Sequence, residues 1–179
     1  MAQEDSTPAA NGSGANDAQP QAATLAQYIK DLSVECPNAP EVFQWQEQPS
    51  LDVNFNLNVD RVADDVHEVV LKVEVRAQSQ RGIQFLVDLN YGGLFGIRNF
   101  PDEAIPPFLL IEAPRLLFPF ARQIIADAVQ NAGFPPLLLE PIDFAAAYLQ
   151  QVQAQQQQGA AGEGQGEAGE PAGNGPGEG

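Results

Sequence analysis

The chain has one cysteine, one histidine and eight basic residues, against 24 acidic ones in 179. A single cysteine excludes an internal disulfide, and Cys36 and His67 alone cannot build a structural zinc site, which takes four such ligands. A formal net charge of −16 leaves no basic footprint for phosphate backbones, so nucleic acid is not expected as a partner and a basic protein surface is. The start, MAQEDSTPAA, has neither a basic n-region nor an apolar h-region, so export is not expected and the default location is the cytoplasm.

Catalytic machinery is equally scarce. His67 stands where a strand begins, on the side of Val69, and reads as a strand-end residue rather than a general base. Cys36 precedes Pro37 with no histidine near in sequence and reads as a small buried hydrophobe. Gly92-Gly93-Leu94-Phe95-Gly96 follows a strand, but no Lys or Ser/Thr-led helix comes behind it, so a phosphate cradle is not expected. Asp64-Asp65 and Asp102-Glu103 read as solvated turns or helix caps rather than cation ligands. Neither an enzyme nor a cofactor is expected.

An unbroken apolar run is missing too. Residues 106–144 are almost wholly apolar, but six charges and the prolines at 106, 107, 114, 119, 135, 136 and 141 interrupt them. No single helix can cover this segment, and it is not expected to insert into a membrane, which needs about 18 or more uninterrupted apolar residues. Its greasy surface must be buried by other means, either in an oligomer or against apolar partners. Residues 1–24 and 151–179, poor in large apolar side chains and rich in Ala, Gly, Gln and Glu, read as disordered tails around one domain at 25–150. The tails hold seven of the 24 acids and none of the eight bases, which leaves 17 acids against eight bases in the middle. The folded part is therefore acidic in its own right.

In that middle, Leu51, Val53, Phe55, Leu57 and Val59 alternate with Asp52, Asn54, Asn56, Asn58 and Asp60, the pattern of a half-buried strand. Val69, Leu71, Val73 and Val75 repeat it, with Val70 intruding on the polar side. Ile83, Phe85, Val87, Leu89 and Tyr91 repeat it again after a plausible hairpin turn at Gln80-Arg81-Gly82. A further strand is expected from Tyr28 to Cys36, with Tyr28, Leu32 and Val34 on one side and Asp31, Ser33 and Glu35 on the other. The glycines after Tyr91 should bend or bulge the strand or admit another backbone. From Phe118 to Asn131 the period becomes helical, with stripes of Phe120, Ile124, Ala128 and of Ala121, Ile125, Val129 before Gly133, and Asp143 can cap a last helix. Strands followed by helices give an α+β domain: a four-stranded antiparallel sheet with a long helix and a C-terminal helix on one face.

Six segments, in order, carry a resemblance: Tyr28-Ile29-Lys30-Asp31-Leu32-Ser33-Val34-Glu35 with Pro37-Asn38-Ala39-Pro40, Val42-Phe43-Gln44, residues 63–71, Tyr91-Gly92-Gly93-Leu94-Phe95, residues 116–122, and residues 133–144. Over about Tyr28 to Leu149 the chain resembles the SecB family of bacterial export chaperones. The resemblance implies a homotetramer, a dimer of dimers, that holds unfolded precursor proteins in the cytoplasm without ATP and passes them to the SecA motor. It implies that Asp31 and Glu35, completed by Leu86 and Asp88, meet SecA, and that Phe43, Phe85 and Phe95 line the groove for clients. Alternation puts Asp31, Glu35, Leu86 and Asp88 on the solvent face of one sheet, where an apolar Leu86 among acids suits a docking patch. The subunit contact is expected on Val87, Leu89 and Tyr91 of the last strand and Phe118 and Phe120 of the helix. A rival reading is an acidic scaffold that binds a single folded partner through its sheet face.

Overall fold

In a computed structural model, residues 19–162 are described. Four strands form one antiparallel sheet: β1 (Gln21–Glu35), β2 (Ser50–Ala63), β3 (Val66–Ser79) and β4 (Gly82–Arg98), in spatial order β1-β4-β3-β2. β2, β3 and β4 form the expected meander through two-residue turns at Asp64-Asp65 and Gln80-Arg81, and the latter turn delivers Gly82 at φ +145°. β1 pairs with β4, and the long 36–49 connection, which contains a short 3₁₀ turn, Glu41–Gln44, carries the chain from β1 to β2 at the opposite edge.

Two bulges in β1 correct its expected alternation. The register passes from Thr24 to Ala26 and from Ile29 to Asp31 while β4 advances by one residue each time, so Leu25 and Lys30 are extra residues. The second bulge reverses the parity. Tyr28 pairs with Gly92 and so shares a face with Asp31, Ser33 and Glu35 rather than with Leu32 and Val34. β1 also begins at Gln21, inside the expected tail, because Ala22 and Ala23 need only backbone pairing with Ile97 and Gly96 of β4.

The glycines of β4 admit side chains. A Cβ on Gly92 would lie 2.8 Å from the Tyr28 ring, and one on Gly93 would lie 2.7 Å from Leu117 and 2.9 Å from Phe95.

The helical stretch starts earlier than expected. A 3₁₀ turn (Asp102–Ala104), a short helical turn (Ile105–Pro107) and a π turn (Phe108–Glu112) lead into helix α1, Ala113–Asn131. Pro106 and Pro107 sit where no backbone donor is required, and the π turn, closed by Ala113 N–H on Phe108 C=O, carries the chain past Pro114. The resulting stretch Asp102–Asn131 is long and apolar enough to cross a membrane by length and composition, contrary to the reading of its prolines as breaks. Its buried side chains pack on the sheet instead.

The core lies between α1 and the inner face of β3 and β4, where Val69, Leu71, Val73, Val87, Leu89, Phe95, Leu117, Ile125 and Val129 are all fully buried. Each such side chain contributes about 1.5–3 kcal/mol relative to exposure. Of the two stripes expected on α1, Ala121, Ile125 and Val129 face this core, while Phe120 lies at its margin, half exposed. α1 ends in a Schellman motif: Phe134 N–H donates to Val129 C=O, Gly133 N–H donates to Gln130 C=O, and Gly133 takes φ +93°. Helix α2, Phe144–Gly162, belongs to a separate compact unit that starts at Asp143, whose Oδ1 accepts the Ala146 N–H at 2.9 Å. α2 reaches past position 151, into the segment expected as a tail; the expected tails at 1–18 and 163–179 lie outside the described residues.

Candidate functional site

The outer face of the sheet is built by register. Directly paired residues share a face with Cβ atoms about 5 Å apart. Glu35 pairs with Leu86, Ser33 with Asp88 and Asp31 with Asn90. On the other side of β4, Leu86 pairs with Arg76, Asp88 with Glu74 and Asn90 with Lys72, and β2 continues the rows with Asp52, Asn54 and Asn56. Asp31, Glu35, Leu86 and Asp88 therefore stand on one face, as alternation expected. A shallow concavity of about 410 Å³ is lined there by Ser33, Glu35, Asp52, Asn54, Glu74, Arg76, Leu86 and Asp88. Asp31 lies on the same face but outside the concavity.

Three residues that the sequence reading did not single out organise this face. Glu68, on β3, accepts hydrogen bonds from the Tyr28 hydroxyl and from Lys30 Nζ, the latter at 2.8 Å. Both donors come from β1, so the contact reaches across β4 above Gly92 and fastens the edge strand at its bulge. The Lys30 and Tyr28 hydrogen bonds hold the Glu68 carboxyl below the usual range, and the bond to Glu68 pushes the Tyr28 hydroxyl up to about 12. The signal available in the sequence was weak, because a bulge leaves no mark on alternation other than a broken parity.

The inner face carries the aromatic groups. Phe134, just past the end of α1, stands 5.5 Å from Phe43 and 5.0 Å from Phe85 between ring centroids, which joins two of the three expected groove residues in one cluster. Phe43 is 54 % exposed and Phe85 is buried. Phe95 is separate: ten residues along β4 from Phe85, it is fully buried and packs edge-on against Phe108 at 6.1 Å. The expected subunit-contact residues also divide. Val87, Leu89, Tyr91 and Phe118 are buried within their own chain, and only Phe120, stacked on Tyr91 at 6.4 Å, is exposed, at 52 %. Because α1 covers only the middle of the inner face, the apolar side chains of the two edge strands remain open: Ile29, Leu32 and Val34 on β1, Leu51 and Phe55 on β2.

His67 is part-buried, and desolvation first, then Arg61, holds its imidazole below the ordinary value, while Asp65 opposes them. Cys36 is likewise part-buried, and burial pushes its thiol up. Among the described residues no group of three His, Cys, Asp or Glu side chains is placed to hold a metal ion.

A sequence model of the family described as preprotein translocase subunit SecB matches residues 15–155. The chain belongs to the SecB family. It is 55% identical over 140 residues to the protein-export protein SecB of Sphingopyxis alaskensis, which covers 78% of this chain and 81% of that one. With the SecB of Zymomonas mobilis the identity is 58% over 146 residues, covering 81% and 89%. Among solved structures, a SecB-like chaperone of Mycobacterium tuberculosis, determined with a peptide of an antitoxin, superposes with a TM-score of 0.56 at 21% identity, covering 68% of this chain and 90% of that one. That likeness supports the fold, and membership makes this chain a chaperone of protein export.

Proposed function

We propose that this chain holds unfolded precursor proteins in the cytoplasm and hands them to the SecA motor, without nucleotide and as a homotetramer built from two dimers. The observation that carries this reading is the division of labour between the two faces of one sheet. The inner face leaves apolar edge residues and the Phe43-Phe134 cluster open, which suits extended apolar segments that bind weakly at many points. The outer face groups Asp31, Glu35 and Asp88 around Leu86, which suits a basic surface with an apolar contact at its centre.

The test is refolding. The chain is expected to delay refolding of several unrelated denatured proteins without ATP, to bind the denatured form of a slow folder and ignore the native form. Burial of apolar surface should give a negative heat-capacity change on binding. Equal affinity for native and denatured forms, or a requirement for ATP, would favour the scaffold with one folded partner. Docking is tested separately: Asp31→Asn, Glu35→Gln and Asp88→Asn together should weaken SecA binding at low salt and leave client holding intact.

A further inference from the structure

Among the described residues, Lys72 is the one cation in ion-pair contact with the residues expected to meet SecA. Its Nζ lies 2.9 Å from a Glu74 oxygen and 3.4 Å from Asp88 Oδ2, beside the outer-face concavity. It reaches them because it pairs with Asn90 on β4, one outer-face row away from the Asp88–Glu74 pair. Arg76, the cation in the next row, is engaged differently: its Nε donates to Gln78 Oε1 at 3.0 Å, toward the hairpin. The remaining oxygen of Asp88, Oδ1, is buried and has no hydrogen-bond donor among the described residues. Asp88 thus has one oxygen paired with an internal ammonium and one buried without a donor, so a partner's cation reaches this carboxylate on the side that Lys72 occupies.

We propose that Lys72 is an affinity-setting residue of the docking face: an internal counter-cation that a cationic side chain of the partner must displace from Asp88 and Glu74. This rests on the reading above that SecA docks here. All three side chains are substantially exposed, so the pair is weak and exchangeable, the property a competitor needs. A lysine suits the task better than an arginine, because a single ammonium on a flexible stem releases a carboxylate more easily than a bidentate guanidinium. A face this rich in acids would, without it, hold any basic surface. With it, only a partner that offers both a cation for Asp88 and an apolar contact for Leu86 gains enough to displace it.

The experiment measures SecA binding to the full-length chain, unmodified and as Lys72→Gln, at low salt and near 1 M. Release of both carboxylates should tighten binding about threefold to fivefold at low salt, and the difference should vanish at high salt, where the screening length falls to about 3 Å. In an Asp88→Asn, Glu74→Gln background the same substitution should leave affinity unchanged. Arg98→Gln, an equal loss of charge ten residues along β4 beside Asp65, should have little effect. Unchanged or weaker binding by Lys72→Gln, or an equal gain from Arg98→Gln, overturns the role of Lys72 while docking stands. Failure of the unmodified chain to bind SecA overturns docking, and the role of Lys72 with it.

Discussion

A methyl group on Gly92 would strike the Tyr28 ring at 2.8 Å, and Tyr28 in turn holds Glu68, so one glycine decides whether β1 can be fastened across β4. Gly92→Ala is expected to cost about 1–3 kcal/mol in chemical unfolding, the usual penalty of overpacking, and to cost little when Tyr28 is also Ala. The same contact should mark the pH profile at both ends. Tyr28 has its folded value raised to about 12 from about 10, so its stabilisation is complete below about pH 10 and is lost as the pH climbs toward 12. Glu68 has its folded value lowered, so its stabilisation is present above about pH 4.3 and is lost as the pH falls through the folded value. Tyr28→Phe should therefore flatten the alkaline arm of stability against pH, and Glu68→Gln the acid arm; arms that stay as steep in both variants would mean that the contact contributes nothing. None of this was legible in the sequence, where Tyr28 seemed to belong with Leu32. The acids at 31, 35 and 88 were legible, since they lie beyond the bulge, where alternation is intact.

At the scale of elements, β2, β3 and β4 could be read directly, because apolar and polar side chains alternate along each of them. The start of β1 could not, since Ala22 and Ala23 are held by backbone pairing rather than by side-chain burial. α1 was read too short because the sequence marks its prolines but not the π turn that accommodates one of them. Its end was legible, and Gly133 is needed there twice. Its φ of +93° disfavours any Cβ, and an added Cβ would lie 2.9 Å from the Phe43 ring. Gly133→Ala should lower stability by about 1–2 kcal/mol and displace Phe43 from Phe134. Trp45, the only tryptophan and two residues from Phe43, reports the second effect: its emission should shift in the variant, and an unchanged spectrum would show that the aromatic cluster does not depend on the helix end.

For the whole molecule, the apolar surplus of the sequence is real: Leu116, Phe120 and Leu138 of the 106–144 segment are exposed, and a second apolar strip lies on β1. Val87, Leu89, Tyr91 and Phe118 are spent on the chain's own core, whereas the open apolar rim runs along β1, where Ile29 pairs with Tyr91, whose ring stacks on Phe120. β1 is also an edge strand, so a second copy could cover this rim and satisfy unpaired backbone groups together. The choice of variant follows from that placement. Val87→Asp would bury an unpaired carboxylate at a site 1 % exposed, cost several kcal/mol and unfold the chain rather than divide an assembly. Leu32→Asp and Phe120→Glu alter side chains that are solvated in the isolated chain, so they should keep its far-UV circular dichroism and lose mass in solution. Native mass measurement at micromolar concentration decides between them: a tetramer for the unmodified chain and smaller species for both variants are expected, and a monomeric unmodified chain would show that the rim serves clients alone.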